Sequence, residues 1–399
     1  MKILSSARIM KLRIRPNIIA APVFLALAGC ATTASQDSSQ AKSPITAQEA
    51  LRPYYAGLAV KLPVAAPNPA LSSDTVLTRI AFGSCQNENR SMAYWDVIAA
   101  QKPQAFLLIG DNVYGDTGAQ WSADMPTLTA SYRKLSARQE WDRFRRSVPM
   151  LTTWDDHDFG ANDAGGSFAF KEYAEKAYEA YWGASDEVKS RPGVYESRIV
   201  GPEGKRVQFI LLDTRFFRSD LVRMPYRDPG PTLGWYLPNE DKTATLLGAV
   251  QWQWLADELS KPTDVRIIVS STQVITSAHN FEGWTNFPRE REKLYRLLSE
   301  KGVNNALILS GDRHSAGFYK SDVKGLSKPL WDFTSSSLNM SFGKGDSRDR
   351  EPDPARTGGF WSIPNFGQID IDWDAKTVKL SLRKDDGGVI EEQVINPFG

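Results

Sequence analysis

The segment Trp154–Asp158 carries three carboxylates and one histidine in direct succession, Trp-Asp-Asp-His-Asp. It ends a largely apolar run that begins at Val148, and such a run predicts a buried strand with the acidic residues at its carboxyl end. Open α/β sheets bind their ligands at that end. Neighbouring carboxylates repel one another and burial raises their pKa values, so a bound cation would relieve both effects. The alternative is a solvated acidic turn that happens to contain a histidine.

Other apolar runs also end in side chains that can bind a metal ion. These side chains are Cys85 after the first run, Asp111 after the second, and Asp312 and His314 after a later one. The chain has three histidines, and two of them lie in such segments. This recurrence favours a metal centre over coincidence. The third, His279, lies in a predicted loop, where we expect a structural or substrate-facing role, with metal binding as the alternative.

Apolar runs and helical periodicity predict a chain in which strands and helices alternate. The predicted strands are 75–84, 105–110, 148–154, 194–200, 206–212, 265–270, 305–310, 366–373, 377–383 and 389–394. The predicted helices are 91–100, 125–146 in two pieces, 168–182, 246–259 and 288–301. The fourth and fifth strands are expected to form a hairpin and the last three a meander. One layered α/β domain accounts for this order better than two separate domains.

Residues 1–30 have the pattern of an export signal and are left out of the fold. A basic start precedes an apolar stretch, Ile18–Ala28, that is too short to span a bilayer as a mature helix. Small residues then lead to Cys30, which resembles the lipidated cysteine of bacterial lipoproteins. The alternative is an ordinary secretory signal cut at another small residue. Since Ala31 follows the cysteine, similarity to Gram-negative lipoproteins implies the outer membrane, with a periplasmic or surface-exposed domain.

Residues 31–72 are rich in Ala, Ser, Thr, Gln and Pro, which predicts a flexible tether between the lipid and a domain at residues 73–399. A short helix within Thr46–Ala59 is expected to break at Pro53. The 399-residue chain has a formal net charge of +1, which gives no electrostatic basis for nucleic-acid binding.

Cys85 has no disulfide partner if Cys30 carries lipid, because the chain contains two cysteines. A single thiol in an oxidising compartment is either buried and inert or held by a metal ion as a thiolate. The sequence leaves both interpretations open.

Three motifs resemble those of the calcineurin-like metallophosphoesterases: Gly110-Asp111-x-x-Tyr114, Trp154-Asp155-Asp156-His157-Asp158 and Ser310-Gly311-Asp312-x-His314. Similarity in Ser84–Gln86, Leu212–Arg215 and Leu247–Leu255 narrows this to the alkaline phosphatase D, or PhoD-like, branch. The resemblance extends from about Ile80 to Asn339. It implies a four-layer αββα sandwich of two mixed sheets flanked by helices, with the metal ions where strand ends meet.

The resemblance implies Fe³⁺ in a first site and Ca²⁺ in a second. The residues implied for the first site are a Cys85 thiolate, a Tyr114 phenolate, His314, and Asp111 as the bridge to the second ion. Asp156 and Asp312 stand where relatives have Asn and His, so the second site is rich in oxygen. Hard oxygen ligands favour Ca²⁺ or Mg²⁺ over Zn²⁺. Mg²⁺, Mn²⁺ and Zn²⁺ are the alternatives.

The sequence departs from the family pattern at the second site. Relatives outside this branch supply a histidine from a strand near Val269–Val274, where this chain offers Ser271, Thr272 and Gln273. Asn162 is predicted to fill that position from the central loop. The chain is also shorter than many members and is expected to lack their N-terminal β-domain, which leaves the substrate range open.

The chemistry implied is hydrolysis of a phosphate ester. Two ions about 3.5–4 Å apart clamp the phosphoryl oxygens, and one lowers the pKa of water toward ~7. His157, oriented by Asp158, is the predicted acid for the leaving group, and a purely supporting role is the alternative. Arg313 and Arg215 are predicted to bind phosphate, with a structural ion pair as the alternative for each.

Two further functions stay open at this stage. One is a phosphodiesterase, including the phospholipase D-like activity of some relatives, and a higher activity on a diester than on its monoester would favour it. The other is a lipid-anchored binding protein that keeps the metal ions for stability. A chain without His157 or Asp312 would favour the hypothesis of a binding protein, and both residues are present.

Overall fold

The computed structural model describes residues 45–119, 122–226, 234–346, 348 and 350–398. The predicted export signal, its lipidation site Cys30 and the first part of the predicted tether lie outside these ranges. Within them, every helix is too short or too polar to traverse a bilayer.

The described chain contains fifteen strands. They are β1 (Arg79–Gly83), β2 (Ala105–Ile109), β3 (Met150–Thr153), β4 (Glu196–Val200), β5 (Val207–Leu211), β6 (Val222–Arg223), β7 (Tyr236–Leu237), β8 (Val265–Ser270), β9 (Ala306–Ser310), β10 (Ala316–Ser321), β11 (Leu330–Ser335), β12 (Arg356–Trp361), β13 (Asn365–Asp372), β14 (Thr377–Lys384) and β15 (Val389–Ile395). One sheet has the order β15-β14-β13-β1-β2-β3, and a second has the order β12-β10-β11-β9-β8-β5-β4. β6 and β7 form a separate ribbon.

Nine α-helices lie in the same ranges. They are α1 (Ala47–Gly57), α2 (Tyr94–Ala100), α3 (Pro126–Ser136), α4 (Gln139–Ser147), α5 (Asp156–Phe159), α6 (Lys171–Trp182), α7 (Asp186–Lys189), α8 (Gly248–Glu258) and α9 (Pro288–Glu300). A 3₁₀ turn, Trp284–Asn286, precedes α9.

Three apolar layers hold the two sheets and the helices together. The layer between the sheets joins side chains such as Phe82 of β1 to Phe333 of β11, whose rings lie 4.8 Å apart. The other face of the first sheet packs against α2, α3, α4 and α6. The other face of the second sheet packs against α8 and α9. This is the predicted αββα arrangement of two mixed sheets, and the fold prediction is confirmed.

The central strands are buried on both faces, which explains their continuous apolar sequences. β1, β2 and β3 are parallel neighbours in the first sheet, and β5, β8 and β9 are parallel neighbours in the second. Parallel strands end at one edge of their sheet, and a hydrogen bond from Thr153 Oγ1 to the carbonyl of Leu212 joins the two edges at 2.9 Å. The carboxyl ends of the parallel strands in the two sheets therefore lie next to each other.

The predicted flexible tether is wrong for the part that the structure describes. α1 continues through Pro53, because Tyr55 stacks on Tyr173 at 5.3 Å and Arg52 pairs with Glu172 at 2.8 Å. These tertiary contacts offset the backbone hydrogen bond that proline cannot donate. Further along, Asn68 donates to the carbonyls of Arg145 and Val148. The compact unit accordingly begins at residue 45 rather than 73.

Glycine is required where the strand ends approach one another. Gly110, directly after β2, has a φ of +118°, and a methyl group there would lie 2.7 Å from the Cβ atom of Asp155. Gly311, directly after β9, leaves space for Ser84 and for the carbonyl of Ser271, which a methyl group would approach to within 2.9 Å. These two positions set how close the ends of β1, β2, β3, β8 and β9 can come.

We expect Gly110→Ala to lower the free energy of unfolding by about 2–4 kcal/mol, because the new methyl group adds a clash to an unfavourable backbone conformation. Gly57→Ala is the matched control, since no atom lies within 4 Å of its added methyl group. Urea denaturation of both variants checks this. Equal stability of the two variants would contradict the proposed close approach.

Candidate metal centre

Four of the predicted metal ligands lie in loops directly after β1, β2 and β9. Cys85, Asp111, Asp312 and His314 all have positive φ angles, between 50° and 64°. Non-glycine residues adopt this left-handed conformation at a cost, and it occurs preferentially at functional sites. The chain therefore turns sharply directly after these strands, which residues in extended or right-handed helical conformations would not permit.

The residues predicted for the first metal site lie together. Asp111 Oδ2 is 3.3 Å from Cys85 Sγ, 3.2 Å from Tyr114 Oη and 3.9 Å from His314 Nε2. Tyr114 Oη also lies 3.2 Å from His314 Nε2. One thiol, one carboxylate, one phenol and one imidazole therefore face a common point.

A second group of possible ligands overlaps the first. Carboxylate oxygens of Asp111, Asp155, Asp156 and Asp312 lie within 4.8 Å of one another. Asp111 also belongs to the group with Cys85 and His314. Asp111 is thus common to both groups, and its bridging role stays a prediction. The second group also contains Asp155, which was not predicted as a ligand.

The charges of this cluster are not balanced by the protein. Burial is the main cause that raises the pKa values of Asp111 and Asp312 well above their usual range and that of Asp155 to about 7. Asp111 Oδ1 and Asp155 Oδ2 are buried without a hydrogen-bond partner. Burial also raises the pKa of the Cys85 thiol to about 12 and lowers that of His314 to about 4. A neutral imidazole and carboxylates with unused oxygens fit metal cations.

His157 lies beside this cluster and pairs with Asp116. Its Nδ1 atom is 2.6 Å from Asp116 Oδ1, and its side chain is 16% exposed. Burial opposes protonation of the ring, but the charges of Asp156 and Asp111 outweigh it and raise the pKa of His157 well above the usual value. One ring nitrogen lies within 4.8 Å of both carboxylates, so a ligand role is the geometric alternative.

The predicted role of Asp158 in orienting His157 is wrong. Asp158 Oδ1 accepts from the backbone N–H of Asp155 at 2.7 Å, and Oδ2 accepts from the side chain of Asn112. Both residues belong to the single turn α5, where adjacent side chains point about 100° apart. Asp158 therefore caps the turn, while Asp116 contacts the imidazole.

The predicted phosphate-binding role of Arg215 is also contradicted. Its side chain is fully buried and forms ion pairs with Asp155 and, at 2.6 Å, with Glu282. Arg218 contacts the other oxygen of Glu282 at 3.1 Å. Arg215 thus offsets part of the negative charge of the cluster, and its full burial leaves no surface of it open to a substrate.

Arg313 likewise lies in a structural ion pair. Its Nε atom donates to Glu351 at 2.8 Å, and the side chain is 2% exposed. The rings of Phe281, Phe342 and Phe360 surround the guanidinium with their centroids 5.1–5.6 Å away. The position of Arg313 between Asp312 and His314 suggested that it binds phosphate, but its guanidinium is paired with Glu351 instead.

Asn162, the predicted extra ligand of the second site, is exposed. Its neighbour Asp163 instead turns inward, with a φ of +56°, and its carboxylate lies within 4.8 Å of Asp156 and Glu282. Burial raises the pKa of Asp163 to about 7. The central loop therefore contributes a carboxylate and not the predicted amide.

The strand end near Ser271 supports the cluster through hydrogen bonds. Ser271 Oγ donates to Asp155 Oδ1 at 2.7 Å, and Gln273 Oε1 lies 2.9 Å from His279 Nε2. The other ring nitrogen of His279 accepts from the backbone N–H of Phe281. Burial lowers the pKa of His279 well below its usual value, so the ring is neutral and has a structural role.

Two packed mixed sheets whose carboxyl ends bring together carboxylates, a thiol and a histidine define a metallophosphoesterase domain. The sequence profile of the PhoD-like phosphatases matches residues 80–382, and the chain belongs to that family. Alkaline phosphatase D of Bacillus subtilis (strain 168) is 27% identical over 290 residues, which cover 62% of this chain and 48% of that protein. The chain thus spans about half the length of this curated relative.

A solved structure of PhoD supports the fold assignment. It superimposes with a TM-score of 0.63 at 19% sequence identity, and the match covers 83% of this chain and 72% of that one. At this identity the likeness establishes the shared fold.

Sequence reasoning missed Asp116, Asp155, Asp163 and Glu282. Asp155 and Asp163 stand inside or beside the motif that carried the prediction, and their burial was the missing information. Asp116 follows Asp111 by five residues, and a carboxylate after the Gly-Asp motif was the available signal. Glu282 lies in a loop without a recognisable pattern, so no sequence signal could have identified it.

We predict that metal-free protein loses stability as the pH rises. Asp155 and Asp163 have folded-state pKa values of about 7, above the usual 3.8, so the folded state binds more protons than the unfolded state between about pH 4 and 7. The free energy of unfolding should fall by about 2 kcal/mol or more between pH 5 and pH 8. Melting temperatures of chelator-treated protein across this range check the direction.

Protein reloaded with divalent cations is the control for this measurement, because bound cations favour the ionised carboxylates. Its stability should vary less over the same pH range. If the melting temperatures of the metal-free and the reloaded protein varied with pH in the same way, the assignment of the cluster to metal binding would be contradicted.

Proposed function

We propose that this protein is a metal-dependent phosphoesterase that hydrolyses phosphate esters. The observation that carries the proposal is the overlap of two possible ligand groups at Asp111, beside the partly exposed imidazole of His157. Membership of the PhoD-like phosphatase family supports it. A binding protein that uses cations for stability alone would not need a partly exposed acid at the edge of the cluster.

The residues present fit two unlike cations. Cys85, Asp111, Tyr114 and His314 would hold Fe³⁺, since thiolate, phenolate and imidazole suit a transition metal. Asp111, Asp155, Asp156 and Asp312 would hold Ca²⁺ or another hard cation, because all their donors are oxygen. When bound, the two ions would neutralise charge on the phosphoryl group and increase the acidity of water.

His157 is the residue that we assign to proton transfer. Asp116 accepts from Nδ1 and fixes the ring, so that Nε2 carries the proton available to the leaving group. The His157 ring also packs against the tilted ring of Tyr114, with centroids 4.2 Å apart, and this contact restrains it further. A held imidazolium at the border of the cluster can protonate a departing alkoxide.

A diester substrate is the second candidate. Arg215 and Arg313, the arginines next to the cluster in sequence motifs, are both neutralised by buried carboxylates. They therefore offer no unpaired charge for the second negative charge that a phosphate monoester carries. A diester bears a single negative charge, and this difference favours it.

We predict that His157→Asn reduces turnover of alkyl phosphate esters by about 10²–10⁴-fold, because the leaving alkoxide loses its acid. The loss should be smaller for nitrophenyl esters, whose leaving groups need no proton. Asp116→Asn should show the same dependence on the leaving group with a smaller loss, since it weakens the orientation of the ring. Steady-state kinetics on matched monoesters and diesters of both leaving groups provides the measurement.

Metal content is the control for both variants and should equal that of the unmodified protein. If His157→Asn loses metal, or loses equal activity on good and poor leaving groups, the acid role is wrong and His157 is a ligand. If diesters react no faster than monoesters, the diester candidate fails while the phosphoesterase proposal stands.

We further propose that the protein is an envelope lipoprotein, anchored through Cys30 in the outer membrane. The lipoprotein-like signal before Cys30 supports this. Cys30→Ser should release the protein from membranes without altering turnover, since a stable hold requires more than one acyl chain. Fractionation of cells that express either form checks it. A serine variant that still sediments with membranes would refute the anchor.

A further inference from the structure

Arg266, near the start of β8, is a buried cation held by neutral groups. The residue is 4% exposed. Its guanidinium donates to Gln208 Oε1 at 2.7 Å, Asn305 Oδ1 at 3.1 Å and the carbonyl of Lys261 at 2.8 Å. Among the described residues, no carboxylate oxygen lies within 4.0 Å of it. Arginine is seldom buried unless it is paired, so this environment calls for an anion.

Other buried arginines of the chain show what the usual arrangement is. Arg215, Arg218 and Arg313 all contact Asp or Glu at 3.1 Å or less. Arg145 also bonds to backbone carbonyls, but it lies 5.2 Å from the Trp182 ring centroid. The cavity beside Arg145 contains a carboxylate, that of Glu196. Within the described ranges, Arg266 has no aromatic ring over its guanidinium and no direct ion pair. The Gln208 amide that it contacts also donates to Glu258 Oε2 at 3.0 Å, and Asp264 lines the neighbouring cavity.

A cavity of about 580 Å³ lies beside Arg266, and further cations line it. Lys261 is paired with Glu258 at 2.6 Å. Lys301 and Lys376 form no ion pair with any residue in the described ranges, and Lys301 Nζ contacts Ser260 Oγ in the cavity wall at 2.7 Å. Arg266, Lys301 and Lys376 thus contribute three positive charges that no ion pair offsets.

One carboxylate, Asp264, belongs to the described lining of the cavity. One of its oxygens already accepts from the backbone N–H of Arg206 at 2.7 Å. Subtracting its charge from those of Arg266, Lys301 and Lys376 leaves two positive charges. The guanidinium of Arg266 has five N–H donors and uses three, so two are free for a ligand.

We propose that this cavity binds an oxyanion with two negative charges, the class that contains inorganic phosphate and phosphate monoesters. Arg266 supplies planar donors from the wall, and the two lysines supply mobile point charges from the rim. Ser260 and Asn304 line the same cavity and add hydrogen-bonding groups.

This site is separate from the metal centre. Arg266 lies near the amino end of β8, whereas Ser271, which contacts Asp155, follows its carboxyl end. Six strand residues span on the order of 20 Å. An anion here would therefore bind without displacing substrate, and the inference does not depend on the proposed reaction.

Isothermal titration of the metal-loaded protein with inorganic phosphate tests the proposal. The unmodified protein should show a binding event that is weakened at least tenfold in the double variant Lys301→Ala/Lys376→Ala. Both lysines are exposed, so the variant should fold, and its turnover at low phosphate should be unchanged. Lys324→Ala, at an exposed lysine outside the cavity, is the matched control and should bind as the unmodified protein does.

A second titration with methylphosphonate distinguishes the sources of the anion. If inorganic phosphate binds more tightly than methylphosphonate, the ligand of this site is the free ion. If methylphosphonate binds equally well or more tightly, the ligand is a phosphate monoester group. Phosphate bound equally by the double variant and the control would overturn the proposal. The proposal would also be overturned if Asp111→Asn, a substitution in the metal centre, abolished all phosphate binding.

Discussion

The closely spaced carboxylates of Asp111, Asp155, Asp156 and Asp312, the first three of them buried, repel one another, and the fold has to hold them together. Their oxygens lie within 4.8 Å of one another, and Arg215 forms an ion pair with one of them, Asp155. Like charges this close cannot all ionise in a buried site without cations. The two sheets, the glycines at their strand ends and the left-handed turns together hold these groups in place despite that repulsion.

The apolar pattern predicted one layered α/β domain and the strand ends that build the cluster, whereas the two-sheet sandwich was implied by the family resemblance. Buried parallel strands leave continuous apolar runs, so the ends of β1, β2, β3 and β9 could be located and their polar residues identified. The strands β10, β11 and β12 were not predicted. Their residues include Gly317, Asp332 and Gly358, which interrupt the apolar pattern by which the other strands were located.

Side-chain partners inside the site could not be predicted, because they depend on directions that only the folded backbone sets. The sequence suggested Asp158 as the partner of His157, but the turn α5 directs Asp158 toward Asn112 and leaves His157 to Asp116. Likewise, Arg215 and Arg313 stand in sequence motifs that suggest phosphate binding. Their carboxylate partners, Glu282 and Glu351, come from remote loops, and burial of these pairs defines the charge of the site.

Elemental analysis of the purified, desalted protein, together with its visible spectrum, shows whether the carboxylate cluster is a metal centre. We expect two metal ions per chain. One should be iron, with an absorption band from thiolate or phenolate bound to Fe³⁺, and the other should be calcium or a similar hard cation. A colourless protein that contains no stoichiometric metal and still hydrolyses phosphate esters at full rate would contradict it.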